Sequence, residues 1–244
     1  MTDIAEADTA VRRALPVRYR DLVVADLVLV GAAAILCWAA GAHWGANKTF
    51  MSNLFVVVGT TAVVAILLLP WLNLKGQEGL DHAQRMAKMA GSWVATLAVA
   101  HLSWELPWVL FHRWIMGAAG EGKFWSYLWW SYAQGGDARY FHGDVNVLAL
   151  ETGASIMGVT ALVLTYLRHK TGGVTGGQLV AIIVLMTCEF YSTVIYVLSE
   201  SYGHFHDVSG AANFVVKFGY GNILWLTVPP IVFLWAARQL LSRR

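Results

Sequence analysis

Residues 90–111 read AGSWVATLAVAHLSWELPWVLF. At about 1.5 Å per residue, a helix of this stretch is about 33 Å long, enough to cross the hydrocarbon core of a membrane. The stretch is uncharged except for His101 and Glu105. Ionisable groups are costly in lipid unless they face protein or water. The stretch therefore predicts a membrane-spanning helix whose polar side is buried inside a bundle.

The composition of the whole chain agrees with a membrane protein. Of its 244 residues, 57% are hydrophobic and 13% are charged, and the mean hydropathy is +0.54. Soluble domains carry about 25% charged residues, so a soluble globular domain and intrinsic disorder are both excluded. A net charge of +2 is too small to indicate nucleic-acid binding. The two cysteines, both in apolar segments, imply no disulfide framework.

Five further stretches have the length and apolar composition of membrane spans. Together with 90–111 they predict an all-α, polytopic integral membrane bundle of six helices. The predicted spans are 22–42, 53–72, 90–111, 145–167, 178–198 and 220–240. We expect one membrane domain over 21–244, preceded by an N-terminal tail of residues 1–20.

The basic residues give this bundle an orientation. If the tail is cytoplasmic, twelve Lys and Arg residues lie on the cytoplasmic side and five on the other. The positive-inside rule then predicts that both termini are cytoplasmic. The membrane is the cell membrane in a bacterium or the endoplasmic reticulum in a eukaryote.

Three connecting features shape the expected fold. Residues 112–147 form an unusually long connection rich in Trp, Tyr and Phe, which we call the aromatic loop. It is either an interfacial aromatic belt or a lid over a cavity between the helices. The polar stretch 73–89 predicts a connector with a short surface helix, and Pro229-Pro230 predicts a break in the sixth span.

Polar residues recur on one face of several predicted spans. Their spacing of three or four residues places them in stripes along the helices, and stripes on several helices indicate a shared polar interior. In chain order they are His101, Glu105, Trp108 and His112; Asp144, Leu148, Glu151 and Ser155; Glu189, Thr193, Tyr196 and Glu200; and Asn222 and Trp225.

Each of these residues also has a purely structural interpretation. His101 and Glu105 can pair along one helix, and Glu151 lies near a helix end, where it can reach the interface. Glu189 can be a structural acid bonded to a tyrosine, and Asn222 can join helices. Taken together, however, the free-energy costs of placing these residues in lipid add up. Their positions on the helices are also consistent with one shared interior, so a purely structural interpretation of the whole set is less favoured.

The set favours proton chemistry. The histidines do not form the repeated clusters of membrane di-iron enzymes, and no motif for covalent catalysis is present, so we expect no metal and no cofactor. Carboxylic acids in a dry cavity can remain protonated, and aromatic faces stabilise a cation. This combination suits proton addition to an alkene in a lipid-soluble substrate.

The motifs occur in an order that resembles a known family. They are His101–Glu105 (HLSWE), residues 130–140 (WSYAQGGDARY), Gly143-Asp144, Glu151-Thr152, Glu189-Phe190-Tyr191 with Tyr196 and Glu200, and residues 222–226 (NILWL). Over residues 97–238 the chain resembles the emopamil-binding protein family, the sterol Δ8–Δ7 isomerases. The resemblance implies a core over about 53–240 and identifies the first helix as an addition to the five spans typical of the family.

The resemblance also implies roles for individual residues. His101, Glu105 and Glu151 match the family's proton-transfer residues, and Asn222 and Trp225 match its substrate-orienting and cation-stabilising pair. We expect the substrate contacts to be Trp104, Trp108, Tyr132, Asp137, Tyr140, Asp144, Ser155, Glu189, Thr193 and Tyr196. The implied partners are a sterol or isoprenoid substrate and inhibitory cationic amphiphilic amines. Membrane lipid is a further expected partner, and the oligomeric state stays open, with an exposed small-residue face that could support a homodimer.

Three functions remain open from the sequence. The first is a cofactor-independent isomerase that shifts a carbon–carbon double bond in a sterol or a related polycyclic isoprenoid. The second is a terpenoid or carotenoid cyclase started by protonation, which Glu189, an acid outside the family pattern, favours. The third is a sterol- or lipid-binding protein without catalysis, which has no need of several buried acids.

Overall fold

The computed structural model describes residues 15–117, 123–133, 136–206 and 208–243. Most of the predicted tail, residues 1–14, lies outside this range, as do 118–122 and 134–135 of the aromatic loop. The long helices are α1 (Tyr19–His43), α2 (Lys48–Leu68), α3 (His82–Ser103), α4 (Glu105–Gly117), α7 (Val145–Thr171), α8 (Gly176–Tyr202) and α10 (Gly221–Leu241). The short helices are α5 (Tyr127–Ala133), α6 (Arg139–His142) and α9 (Gly210–Asn213).

The fold class predicted from the sequence is confirmed. Six helical stretches within the described residues are long and apolar enough to cross a membrane. They are Tyr19–His43, Lys48–Trp71, His82–Ile115, Val145–Thr171, Gly176–Tyr202 and Gly210–Leu241. A short parallel pair of strands, β1 (Leu15–Arg18) and β2 (Leu74–Lys75), joins the start of the chain to the connector after α2.

Helix-capping residues set several boundaries. Asn47 accepts a hydrogen bond from the Phe50 amide at the start of α2. Asp81 begins α3 with a reciprocal capping box to Gln84, and Thr175 begins α8 in the same way. Gly172 ends α7 in the left-handed conformation, with φ of 66°.

Two predictions about the spans are wrong. No separate surface helix forms in 73–89, because the Asp81 capping box starts α3 at once and the helix then runs into the membrane. The sixth span begins at Gly210 instead of residue 220, and α10 continues through Pro229 and Pro230 without a break. Tightly packed neighbouring helices allow prolines inside membrane helices.

The main core lies between α3, α7, α8 and α10. Trp93, Leu97, Ala161 and Val232 are completely buried there. By contrast, α1 packs mainly on α2 and buries only Cys37 and Gly41. The first helix therefore stands at the edge of the bundle, and the polar stripes of the other spans face one another inside it.

Candidate active site

His101 lies at the centre of the buried polar interior. Its ring atom Nε2 is 3.0 Å from Oε2 of Glu189 on α8, in a buried hydrogen bond. Its other ring nitrogen, Nδ1, is 3.2 Å from Oε1 of Glu105, a contact that lacks hydrogen-bond geometry. The imidazole thus lies between two carboxyl groups from different helices, and both ring nitrogens face an acid.

A glycine on the neighbouring helix allows His101 to reach this position. At Gly158 on α7, an added Cβ would lie 2.6 Å from the Cβ of His101. A distance this short between two carbon atoms is a clash, so only glycine permits α3 and α7 to approach this closely. The backbone contact therefore fixes where the imidazole enters the site.

The third span breaks between the histidine and the first acid. α3 ends at Ser103 and α4 starts at Glu105, and Trp104 between them, with φ of −107° and ψ of −66°, belongs to neither helix. The cause is Pro107, which has no amide hydrogen for the Ser103 carbonyl and whose ring crowds that carbonyl. The Trp104 carbonyl accepts a hydrogen bond of 2.9 Å from Nε1 of Trp129 in the aromatic loop. His101 and Glu105 therefore belong to two separate helical segments.

Aromatic rings close one side of the histidine. The ring of Trp225 on α10 lies 5.6 Å from the His101 ring, and the ring of Trp93 lies 5.1 Å from that of Trp225. Asn222, one turn before Trp225, donates hydrogen bonds to the Phe218 carbonyl at 2.8 Å and to the Tyr132 hydroxyl at 3.3 Å. Ring faces beside the acids can stabilise a positive charge on a bound molecule.

Glu151 forms a second acidic position on α7. It is buried, and it accepts a hydrogen bond from the Tyr140 hydroxyl. Burial, followed by the negative charge of Glu151, raises the pKa of Tyr140 well above its ordinary value. Tyr140 therefore remains a neutral donor to this carboxylate at physiological pH.

A buried ionic network lies next to this pair. The guanidinium of Arg139 donates three hydrogen bonds to the Asp137 carboxylate, at 2.9, 3.1 and 2.7 Å, and forms an ion pair with Glu200 at 3.0 Å. The Tyr196 hydroxyl donates to Asp137 at 2.6 Å and lies 3.1 Å from the Tyr132 hydroxyl. Burial raises the pKa of Tyr132 to about 12. One guanidinium thus compensates two buried carboxylates and ties the loop to α8.

The aromatic loop packs over the site. Its residues Trp129, Tyr132 and Tyr140 contact Trp104 and Trp108 of the third span. The loop also contacts the sixth span, because a Cβ on Gly136 would collide with the Tyr132 carbonyl oxygen and with the side chain of Lys217. The side chains of Trp129 and Tyr140 are buried in this packing.

Two cavities lie outside the acidic cluster, and His101, Glu105 and Glu189 line neither of them. The first cavity, of about 390 Å³, lies beside Gly91, Arg168 and Trp235. It is formed by the N-terminal half of α3, the C-terminal end of α7, the N-terminal end of α8 and the C-terminal half of α10. The second, of about 360 Å³, is lined by Phe111, Trp114, Ile115, Trp125 and Trp129. Within the described part of the chain, no group of three His, Cys, Asp or Glu side chains is arranged to hold a metal ion.

Comparison with known proteins gives two informative relatives. The chain is 27% identical over 189 residues to the 3-beta-hydroxysteroid-Delta(8),Delta(7)-isomerase of Cavia porcellus, covering 75% of this chain and 78% of that protein. It is also 27% identical over 193 residues to the Mus musculus protein of the same name, covering 77% and 80%. The resemblance to the emopamil-binding protein family is confirmed. No family model matches the sequence.

The structure brings together the residues to which this family resemblance assigns roles. His101, Glu105 and Trp225 are in one cluster, and Glu151 and Asn222 connect to it through the tyrosines of the loop. The substrate contacts predicted at Trp104, Trp108, Tyr132, Asp137, Tyr140, Glu189 and Tyr196 lie in this cluster or in the network beside it.

Three of the predicted contacts have mainly structural partners. The Asp144 carboxylate accepts hydrogen bonds from the amides of Asn146 and Val147 and so caps α7. The hydroxyls of Ser155 and Thr193 each donate to the carbonyl four residues earlier in their own helix. All three residues match the helical period of the stripes, but their side-chain oxygens form hydrogen bonds with the backbone of their own helix.

Sequence reasoning missed four residues that shape the site. Arg139 lies in a loop without periodicity, although it is part of the motif at 130–140. Gly158 and Trp93 lie in apolar stretches of the predicted spans, where the sequence alone predicts that they are ordinary packing residues. Lys217 falls between the predicted spans 178–198 and 220–240, yet it is fully buried within the sixth span. Among these, only Arg139 had a signal in the sequence, as a charge next to Asp137.

Proposed function

We propose that this chain belongs to the emopamil-binding protein family and is a membrane isomerase. Its substrate class is a sterol or a related polycyclic isoprenoid, in which it moves a carbon–carbon double bond. The observation that carries the proposal is the buried Glu105–His101–Glu189 cluster against the face of Trp225. The similarity to two Δ8,Δ7-isomerases gives the substrate class.

The reaction we propose needs no oxidant and no reductant. A carboxylic acid gives its proton to one alkene carbon, the π electrons form the new C–H bond, and a tertiary carbocation remains. A carboxylate then removes a proton from a neighbouring carbon, and the electrons of that C–H bond form the new double bond. Glu105 and Glu151, on different helices, are the acid and the base of this exchange.

The surroundings of the two acids suit a cationic intermediate. Trp225 offers its ring face to positive charge, and Asn222, held by the Phe218 carbonyl, orients the polar end of the substrate. The aromatic loop excludes water, which would otherwise capture the cation as an alcohol. Amphiphilic amines carry a fixed positive charge in place of the cation, and we therefore propose them as inhibitors.

We also propose that both termini are cytoplasmic. The excess of basic residues at the tail, at the connector after α2 and at the end of α10 supports this orientation. In this arrangement the Asp137–Arg139–Glu200 network lies toward the opposite side of the membrane.

The function is tested by incubating the purified protein with a Δ8-sterol in heavy water and analysing the extracted lipid by mass spectrometry. We expect a Δ7 product that carries one deuterium atom, because the donated proton comes from an acid that exchanges with solvent. The Glu105→Gln variant is the matched control, since it keeps the shape of the side chain without its acidic proton.

The other outcomes reject the isomerase proposal in distinct ways. Tight sterol binding without deuterium incorporation indicates a binding protein. Absence of sterol binding, together with a deuterated cyclic product from a linear polyene, indicates a cyclase.

A further inference from the structure

Glu189 is an acid in the middle of α8, and it is more deeply enclosed than Glu105. Its side chain is 3% exposed, whereas that of Glu105 is 14% exposed. Glu189 makes a true hydrogen bond to His101, while Oε2 of Glu105 has no hydrogen-bond partner among the described residues. The two acids beside the imidazole are therefore not equivalent: Glu189 is anchored, and Glu105 is free to face a bound molecule.

We infer that Glu189 is a positioning residue, which holds a proton on Nε2 of His101 so that Nδ1 is the nitrogen that exchanges protons with Glu105. This inference assigns Glu189 a contact with His101 in place of the substrate contact expected from the sequence. Its catalytic consequence rests on the proposed function, but the protonation pattern itself does not.

The hydrogen-bonding capacity of imidazole carries the argument. A neutral imidazole has one N–H donor and one acceptor nitrogen, and a carboxylate can only accept. Because Glu189 approaches Nε2 at 3.0 Å, the proton belongs on that nitrogen. The lone pair of Nδ1 is then directed to the side of the ring where Glu105 lies. A hydrogen bond at one ring nitrogen commonly sets the tautomer of a functional histidine in this way.

This arrangement gives a balanced proton exchange between two neighbours. When Glu105 is protonated, its O–H bond can break as an N–H bond forms on Nδ1, which leaves an imidazolium between two carboxylates. The reverse step returns that same proton from Nδ1 to Glu105, which can then donate it to a substrate. The Glu189 carboxylate accepts the hydrogen bond from Nε2 and stabilises the positive ring, and the Trp225 ring lies 5.6 Å from it.

The test is nitrogen NMR of the full-length protein labelled with ¹⁵N-histidine, at neutral pH and without substrate. A His101→Gln variant identifies the His101 signals among those of the eight histidines. In the wild type we expect Nε2 to carry a proton. In Glu189→Met, which has a similar volume but no acceptor, we expect the proton to move to Nδ1. His101 still faces Glu105 and can become neutral, so this change leaves no fixed cation without a partner, and the variant should fold.

The matched control is Ser192→Ala. The Ser192 hydroxyl donates to the Glu189 carbonyl at 2.9 Å, so its loss perturbs the same turn of α8 but leaves the acid in place. We expect the His101 signals of this control to match the wild type. Identical His101 signals in Glu189→Met and wild type would overturn the inference.

Kinetics separate the inference from the proposed function. In Glu189→Met we expect kcat to fall at least tenfold with KM within twofold of wild type, and Glu189→Gln to recover part of the loss because its oxygen can accept from Nε2. A tautomer change in the NMR with unchanged kcat supports the positioning role and removes His101 from the reaction. If Glu189→Met raises only KM, and its His101 NMR signals match those of the wild type, Glu189 is assigned to substrate binding and the inference is overturned.

Discussion

The guanidinium of Arg139 holds the aromatic loop against α8, and its removal gives a quantitative prediction. In Arg139→Met, the Asp137 and Glu200 carboxylates lose the cation that compensates them, although they are 1% and 2% exposed. Leaving a buried charge without its partner costs about 3–5 kcal/mol. Asp137 lies in the loop and Glu200 lies on α8. The free energy of docking the loop against α8 should therefore become less favourable by this amount.

Hydrogen exchange measured by mass spectrometry on the protein in detergent tests this value. An opening free energy lowered by about 3–5 kcal/mol speeds exchange in α5 and α6 between about 10²- and 10⁴-fold. Amides in the middle of α8 serve as the internal reference and should exchange at the wild-type rate.

A charge-free version of the network is the decisive control. In the triple variant Asp137→Asn, Arg139→Met and Glu200→Gln, no charge is left without a partner, so most of the lost protection should return. Faster exchange that persists in the triple variant would show that packing of the arginine, and not charge compensation, holds the loop. Acceleration of less than about fivefold in the single variant, below 1 kcal/mol, would refute the reasoning.

Three further predictions concern the site and the topology. Glu105→Gln should lower kcat for the Δ8-sterol at least about 10²-fold with sterol binding retained; an unchanged kcat would remove Glu105 from the mechanism. Trp225→Leu should weaken binding of a cationic amphiphilic amine by up to about 2 kcal/mol, roughly 25-fold, beyond any loss for a neutral sterol, and equal losses would mean packing only. Reporters fused to either terminus should both read as cytoplasmic, and a C-terminal reporter on the opposite side would contradict the orientation.

The sequence predicts the interior of the bundle well, because helical periodicity alone places polar residues on one face. His101, Glu105, Glu151 and Glu189 were found in this way, and each is at least partly buried in the polar interior. The same logic fails at helix ends. Asp144 has the period of a site residue, but at the first turn of α7 its carboxylate is taken up by free backbone amides.

Long-range contacts account for what periodicity could not predict. Lys217 looks like a loop residue because a lysine normally ends an apolar segment, yet a π-helical stretch (Phe214–Tyr220) and the chain near Gly136 bury it within the sixth span. Gly158 matters only because α3 crosses α7 at His101, and nothing local in the sequence announces that crossing.

The helix break at Trp104 has a consequence for substrate choice. The histidine and the first acid are carried by two helical segments, α3 and α4, so a change in the angle between the segments changes the separation of the two side chains. The bond from Trp129 to the Trp104 carbonyl connects that change in angle to the docked loop. A bound molecule that displaces the loop therefore also changes the separation between the Glu105 carboxyl group and the His101 ring. For the proposed isomerase, this links substrate selection to the geometry of proton transfer.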